Sequence, residues 1–383
     1  MEFIDKTLGE IIEQLAVDYP NNLAFKFPAR NYERTWKEFD KETDEIAKGF
    51  MSLGIKKGDK VAIWTGNTPE WALTLYSATK IGAILVTVNT AYKIFELEYL
   101  LRQSDTKAMV MMSSYKDSNY IEIVNNLFPE LKNSEGGKVK SADMPFIERI
   151  IFGGAEETPQ GMLDFKNLKE LGKVISDEVL RAAKDACDKD DVINLQYTSG
   201  TTGFPKGVML THYNIINNGK SIGDGMKLTS NDKLCVCVPF FHCFGLVLAM
   251  MASITHGTSM VGLDYNPLNV MSAISNEKCT AVHGVPTMFI AMLEHPRFNE
   301  FDFSHLRTGI MAGSPCPIQV MRQVISQMNL RDMVIVFGQT EASPGCTMTT
   351  TEDSLEMRVS TVGKAFPEVE CKIINVETGK EAK

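Results

Sequence analysis

Three glycines, several hydroxyl side chains and one lysine are concentrated in one short stretch, Tyr197-Thr198-Ser199-Gly200-Thr201-Thr202-Gly203-Phe204-Pro205-Lys206-Gly207. The stretch directly follows a run, Val192 to Tyr197, that predicts a buried strand. Glycines let backbone N–H groups turn towards a ligand, hydroxyls donate to phosphate oxygens, and the lysine adds a positive point charge. A polyphosphate uses all three together, so we predict that residues 198–206 bind one.

The composition of this stretch leaves an alternative open, because Gly, Ser, Thr and Pro also form mobile polar surface loops. The stretch also differs from the G-x-x-x-x-G-K-[ST] phosphate loop. Lys206 is followed by Gly207, and a strand-like Val208-Met209-Leu210 stands where that loop would enter a helix. A nucleotide switch or a motor ATPase is therefore disfavoured.

Two later motifs accompany this loop: Met311-Ala312-Gly313-Ser314-Pro315 and Phe337-Gly338-Gln339-Thr340-Glu341. In order and separation, the three motifs resemble the signature loop, the adenine-contacting turn and the aromatic-Gly-x-Thr-Glu motif of the adenylate-forming (AMP-binding) superfamily. The resemblance covers essentially the whole chain. The sequence from Ile335 to Pro344 looks most like the corresponding stretch of fatty acyl-CoA synthetases of medium-chain type.

This resemblance implies an ATP site in which the loop closes over the β- and γ-phosphates. Phe337 would stack beside the adenine, where family members usually carry Tyr, and its ring face is retained. Thr340 would bond the α-phosphate and Glu341 would hold Mg²⁺; the alternative for Glu341 is a helix N-terminal carboxylate that needs no metal. The implied ATP contacts are Thr198, Ser199, Gly200, Thr201, Thr202, Gly203, Phe204, Pro205, Lys206, Gly313, Ser314, Pro315, Phe337, Gly338, Gln339 and Thr340.

The segment Pro239-Phe240-Phe241-His242-Cys243-Phe244-Gly245-Leu246 resembles the part of the family that lines the acyl pocket. The resemblance implies that His242 lies beside the substrate carboxylate and gates the route to the thiol. A lone histidine among aromatic residues is otherwise a buried core residue. The implied acyl-pocket residues are Phe241, His242, Gly245 and Ala312. The segment has no Asp to pair with a substrate ammonium, so we expect an apolar acid.

The implied activity is that of an acid–thiol ligase with Lys206, His242, Thr340 and Glu341 as catalytic residues. Such an enzyme activates a carboxylic acid, here a fatty acid with medium chains favoured, as an acyl-adenylate and transfers it to coenzyme A. The resemblance implies ATP, Mg²⁺ and coenzyme A as the cofactors and co-substrates of this activity. The alternatives are a ligase for an aryl or amino acid, and a non-catalytic ATP- or AMP-binding module.

The elements that carry these motifs alternate between strands and helices. Thr35 to Glu38 is a capping box that predicts a helix start, and Thr68-Pro69 predicts another. A strand at Val61 to Trp64, this second helix and a strand at Ile84 to Val88 form a βαβ unit, which requires a parallel sheet. Further strands are predicted at Ala108 to Met112, Arg149 to Phe152, Val192 to Tyr197, Leu234 to Val238, Thr258 to Val261, Thr308 to Met311, Val334 to Phe337 and Val369 to Ile374.

The predicted fold class is therefore α/β, with two related α/β halves whose largely parallel sheets are sandwiched by helices. Residues 1–187 form the first subdomain, residues 188–338 form the second with the phosphate loop, and residues 339–383 form a small β-rich, barrel-like tail. By the resemblance, the family continues beyond this point into a C-terminal lid domain. We expect that domain to be absent here and catalysis by the chain alone to be slow.

Composition excludes several other classes. The 383 residues carry a net charge of −9, with 44% hydrophobic and 23% charged residues, so a disordered chain and a general nucleic-acid binder are disfavoured. We find no secretory signal and no apolar run long enough to span a bilayer, and we expect a cytoplasmic protein. The oligomeric state is open, and a homodimer is compatible with the sequence.

Overall fold

The computed structural model describes residues 2–198 and 205–382. Their helices are α1 Leu8–Asp18, α2 Trp36–Ser52, α3 Pro69–Lys80, α4 Ile94–Gln103, α5 Tyr120–Leu127, α6 Asn167–Leu171, α7 Asp177–Asp185, α8 His212–Met226, α9 Ala252–Ile254, α10 Pro267–Glu277, α11 Pro286–Leu293, α12 Ile318–Gln327 and α13 Leu355–Ser360. A π-helix, Phe244–Met251, runs directly into α9. The predicted caps are present, because the Thr35 and Thr68 side chains accept bonds from backbone N–H groups three residues later.

Two large sheets and a small hairpin make up the β-structure of the described residues. The strands are β1 Leu23–Phe27, β2 Tyr32–Thr35, β3 Lys60–Trp64, β4 Ile84–Thr87, β5 Thr106–Met111, β6 Ser114–Tyr115, β7 Ser118–Asn119, β8 Arg149–Phe152, β9 Leu163–Asp164, β10 Val192–Thr198, β11 Lys206–Thr211, β12 Lys233–Val236, β13 Ser259–Gly262, β14 Ala281–Gly284, β15 Thr308–Ala312, β16 Asp332–Gly338, β17 Gly345–Met348 and β18 Lys364–Ala365. The first sheet has the order β11-β10-β4-β3-β5-β8-β9, and the second β18-β17-β16-β15-β14-β12-β13-β1-β2. The interior pairs of both sheets are parallel and antiparallel pairs lie at the edges, which confirms the predicted α/β class with largely parallel sheets.

Side chains along each strand alternate between the two faces of the sheet, and both faces of each sheet are buried. In β3, Val61 and Ile63 belong to a central core that also contains residues of α1, α2, α3, α8 and the second sheet. Ala62 and Trp64 point the other way and pack in a separate core with α4 and α5. The second sheet has a comparable outer core with α10, α11 and α12. Helices therefore flank both sheets and also fill the space between them.

The sheets exchange strands across the predicted subdomain boundary at residue 187. The hairpin β1–β2 joins the second sheet through β13, and β10 and β11 join the first sheet through β4. The boundaries at 187 and 338 stay predictions, but backbone hydrogen bonds cross the first of them in both directions.

The predicted β-rich tail, residues 339–383, begins as a continuation of the second sheet. Strands β17 and β18 extend the edge of the second sheet, and α13 lies between them. The strand predicted at Val369 to Ile374 is wrong: among the described residues after Ala365, the β-pairing is the single bridge between Ile374 and Glu381. Apolar residues there are exposed, and a strand without a partner has no ladder to stabilise it.

Candidate active site

A cavity of about 890 Å³ opens at the carboxyl ends of the parallel strands β15 and β16. This is the edge where α/β sheets place their ligands, because loops from several strands converge there. The cavity brings together the two later motifs and part of the predicted acyl-pocket segment, Pro239 to Leu246. Its described lining includes His242, Ala312, Gly313, Ser314, Pro315, Phe337, Gly338, Gln339 and Thr340.

The predicted adenine side of the cavity follows directly from β15 and β16. Gly313 leaves β15 with φ +87°, a conformation that glycine adopts without steric cost, and so turns residues 313–315 along the wall. Phe337, near the end of β16, is 54% exposed although its ring is large and apolar. An exposed ring face inside a cavity is available for stacking against a planar ligand.

Thr340 and His242 meet through the thiol of Cys243. The Thr340 hydroxyl donates to Cys243 Sγ over 3.5 Å, and the same sulfur lies 3.7 Å from His242 Nδ1. Sulfur is a weak acceptor, so a phosphate oxygen would readily replace it as the partner of Thr340. Burial raises the pKa of the Cys243 thiol to about 11, which keeps the thiol protonated at neutral pH. Sequence reasoning did not single out Cys243, because its contacts depend on how two distant loops approach.

His242 lies exposed at the cavity, which favours the site interpretation over a buried core histidine. Its Nδ1 accepts the backbone N–H of Phe244 over 3.1 Å, so the other ring nitrogen, Nε2, carries the proton of the neutral ring. Desolvation by the surrounding walls lowers the pKa of His242 below its usual range. The ring is therefore a neutral hydrogen-bond donor near pH 7.

The phosphate loop is described only at its two ends. Ser199 to Phe204, six of the residues predicted to contact ATP, lie outside the described residues. Thr198 and Lys206 pair with each other across the antiparallel strands β10 and β11, which anchors both ends of the loop on the first sheet. Pro205 is half-buried, its carbonyl accepts the Tyr99 hydroxyl over 3.3 Å, and Lys206 is exposed.

Glu341 lies across from the loop, and the Thr198 hydroxyl donates to its carboxylate over 3.4 Å. The element at Glu341 is a three-residue 3-10 turn, Thr340–Ala342, so the alternative role at a helix N-terminus has little helix dipole to act on. An exposed carboxylate beside Thr198, at the start of the predicted phosphate loop, fits Mg²⁺, which typically takes one or two carboxylates together with phosphate oxygens. The residues present therefore suit the metal predicted from the sequence.

The residues predicted to form the acyl pocket fall into two groups: some line the cavity, and the others hold the loop that carries His242. The Phe241 carbonyl accepts from the buried side chain of Gln196 over 2.8 Å, which ties the segment to β10. Gly245 is buried at the start of the π-helix, where a Cβ would lie 2.2 Å from the Pro239 carbonyl oxygen. This position requires glycine because two backbones approach closely. Phe241 and Gly245 therefore support the loop, whereas His242 and Ala312 line the cavity.

Asn67 joins the two sheets behind this loop, and no sequence signal singled it out. Its side-chain amide donates to the carbonyls of Val238 and Leu263, and its side-chain oxygen accepts the Phe240 N–H over 2.9 Å. The Asn67 backbone N–H also donates to the Asp264 carboxylate over 2.9 Å. Asn67 follows β3 of the first sheet, so it holds the His242 loop of the second sheet in a fixed position.

The cavity wall carries little free charge. None of its described lining residues is Asp or Glu. Arg358 is the charged member of the described lining, and its guanidinium donates to four backbone carbonyls: Arg331, Met333, Thr351 and Asp353. Phe244, Leu248, Val336 and Val359 add apolar surface. Such a wall suits a neutral, apolar group.

A two-sheet α/β domain with this convergence of motifs is the architecture of an adenylate-forming enzyme. The chain belongs to the AMP-binding enzyme family, whose model matches residues 12–383. It is 49% identical over 381 residues to "Putative acyl-CoA synthetase YngI" of Bacillus subtilis (strain 168), which covers 99% of this chain and 69% of that protein. It is 38% identical over 376 residues to the acyl-CoA ligase sidI of Aspergillus fumigatus, covering 98% and 62%. It is 36% identical over 386 residues to the mitochondrial medium-chain acyl-CoA ligase ACSF2 of Rattus norvegicus, covering 99% and 63%. The chain thus spans roughly two thirds of the length of these relatives.

Solved structures show the same fold. The inhibitor-bound N-terminal domain of FACL13 from Mycobacterium tuberculosis superposes with a TM-score of 0.80 at 24% identity, covering 98% of this chain and 86% of that one. The predicted family, fold class and ligase class are confirmed by these comparisons, and the non-catalytic module is not favoured. Among the described residues, no helix has the length and apolar character needed to cross a membrane. The cytoplasmic location and the homodimer stay predictions.

Proposed function

We propose that this chain carries the nucleotide- and acid-binding site of an AMP-forming acyl-CoA ligase for a neutral apolar acid, with medium-chain fatty acids favoured. The observation that carries the proposal is the single cavity in which His242 and an apolar wall meet the two nucleotide motifs. Its described lining has no carboxylate to pair with an ammonium, which disfavours amino acids. The relatives named acyl-CoA ligases point to the same chemistry.

The first step joins the acid to AMP. A carboxylate oxygen attacks the α-phosphorus of ATP, and the bond from that phosphorus to the bridging oxygen breaks to release pyrophosphate. Lys206 and the loop at residues 198–206 would hold the outer phosphates, and Thr340 would bond the α-phosphate. Fixed donors stabilise developing charge without having to reorganise at the moment of reaction. Mg²⁺, when bound by Glu341 and the phosphates, supplies positive charge there.

The second step transfers the acyl group to coenzyme A. The thiolate sulfur attacks the acyl carbon, and the bond from that carbon to the phosphate oxygen breaks to release AMP. His242 would lie beside the reacting carboxyl group, where its neutral ring can donate one hydrogen bond. The apolar wall of the π-helix would hold the acyl chain and exclude water.

The test is acid-dependent exchange of pyrophosphate into ATP by the full-length protein, measured over a panel of straight-chain fatty acids, aryl acids and amino acids. We expect exchange with fatty acids, strongest at medium chain length, and formation of acyl-CoA when coenzyme A is added. Exchange with amino acids and none with fatty or aryl acids would overturn the proposed substrate class. ATP binding without exchange for any acid would overturn the proposed activity.

A further inference from the structure

His283 is a fully buried histidine that the proposed reaction does not use. It lies on β14, in the interior of the second sheet, beneath the π-helix Phe244–Met251. The sequence gives no sign of a role, since it stands in the apolar run Thr280-Ala281-Val282-His283-Gly284. A buried imidazole must have its polar atoms paired, so its partners show what it holds in place.

The hydrogen bonds of the ring settle its tautomer. The Ile310 N–H, on the neighbouring strand β15, donates to His283 Nδ1 over 3.2 Å, so that nitrogen carries no proton. His283 Nε2 therefore carries the proton and donates to the Leu248 carbonyl over 3.0 Å. Burial lowers the pKa of His283 to about 4, so the ring stays neutral at physiological pH.

Leu248 lies in the middle of the π-helix, whose i→i+5 bonding is rare and widens each turn. The His283 ring also stacks against Phe244, with centroids 5.7 Å apart and planes 23° from parallel. Phe244 and Leu248 both line the cavity, on the side of His242. One imidazole thus contacts two of the apolar residues that form this wall, and it connects them to β15, whose end carries the predicted nucleotide-binding turn.

We propose that His283 is a specificity-determining positioning residue: by fixing the Leu248 carbonyl and the Phe244 ring, it sets how deep the apolar end of the cavity is. The inference rests on the proposed function, because the apolar end is assigned to the acyl chain. If His283 is replaced by a residue that cannot make these contacts, the cavity wall formed by the π-helix shifts and the cavity accepts an acyl chain of different length. The nucleotide motifs lie at the ends of β15 and β16. The backbone ladders of β15 with β14 and β16 do not depend on the imidazole, so these motifs should keep their geometry even without the bond from Ile310.

The test replaces His283 in the full-length protein by Leu, which removes both hydrogen bonds, and by Gln, which retains a donor for Leu248 O. Exchange is measured with saturated acids of increasing length, as the ratio of kcat/KM for longer over shorter acids, together with the KM for ATP. One methylene in an apolar pocket changes kcat/KM by about tenfold or more. We expect His283→Leu to shift the ratio by about tenfold, His283→Gln to shift it less, and the KM for ATP to stay within about twofold.

His212→Leu is the matched control. His212 is also fully buried, and its Nδ1 also accepts a backbone N–H, from Leu8 over 3.0 Å, but it lies on α8 away from the cavity. It should lose stability without a change in the length ratio. Leu248→Ala is the positive reference, because it opens the wall directly.

An unchanged length ratio in both folded His283 variants, with a changed ratio in Leu248→Ala, would overturn the inference. If His283→Leu does not fold, His283→Met, which also lacks both hydrogen bonds, takes its place in the same comparison with Leu248→Ala. Absence of exchange with every acid in the unmodified protein would instead refute the proposed function itself, so the two failures are distinguishable.

Discussion

Replacing Gly245 by Ala would press a methyl group into the backbone that carries His242. The added Cβ would lie 2.2 Å from the Pro239 carbonyl oxygen and 2.9 Å from Phe240 Cα. Since ordinary contacts begin near 3.4 Å, the π-helix and the loop must separate by about 1 Å. Overpacking of this kind costs about 1–3 kcal/mol, whereas Ala gains up to about 1 kcal/mol over Gly in a helix. We therefore expect a net loss of about 1–2 kcal/mol in the free energy of unfolding.

The same shift should affect catalysis more than stability, because His242 moves with the loop. A displacement of about 1 Å at a reacting centre costs up to about a hundredfold in rate. Acid-dependent exchange by the full-length protein should fall by at least about tenfold with little change in the KM for ATP, and urea unfolding measures stability. Gly9→Ala in α1 is the control, because its nearest neighbour would be the Lys80 side chain at 3.2 Å. If Gly245→Ala were as stable and active as this control, the close-packing argument would be refuted.

Three further predictions concern single side chains. Lys206→Ala should weaken ATP binding more than AMP binding in calorimetry, because the lysine is assigned to the outer phosphates; equal losses would contradict that assignment. Glu341→Gln should lower ATP affinity in Mg²⁺ with little loss of stability, since its carboxylate is exposed and its contact with Thr198 is long at 3.4 Å. A large stability loss with unchanged affinity would argue against the metal role. Burial lowers the pKa of His212 to about 4 from 6.5, so the unfolded chain binds the proton first and stability is lost as pH falls from 6.5 towards 4. His212→Asn should flatten that loss in urea midpoints measured across this range, and an unchanged slope would show that another group is responsible.

Local signals in the sequence located most elements of the fold. The capping box at Thr35 and the Thr68-Pro69 start act within one helical turn, so no tertiary information is needed to recognise them. The strand predicted at Arg149 to Phe152 matches β8 at both ends. Buried parallel strands appear in a sequence as short apolar runs, and these runs indicated the alternation of strands and helices along the chain.

Elements that depend on distant partners were missed. The hairpin β1–β2 contains Pro28 and Asn31 between short strands, and its pairing to β13 is invisible in its own residues. The π-register of Phe244–Met251 is not visible in its own apolar residues, and its contacts come from residues outside it: Gly245 packs against Pro239, and the Leu248 carbonyl accepts a bond from His283. In the site, motif residues could be predicted from their types. The supporting residues Asn67, Gln196 and Cys243 could not. Asn67 and Gln196 act through contacts across the two sheets, and Cys243 acts through a contact between two loops that are distant in the sequence.

The exchange of strands between the sheets has a consequence for synthesis of the chain. Phe25 in β1 pairs with Met260 in β13, so the amino-terminal hairpin leaves the ribosome long before its partner strand exists. At about 5–20 residues per second, the wait is on the order of tens of seconds. Throughout it, the edge of β1 has no partner strand, and the Phe27 ring, which packs against Phe240, is without its final cover. The nascent chain therefore offers an apolar strand edge that chaperones can bind, and a gene cut near residue 187 would make that exposure permanent in the amino-terminal product.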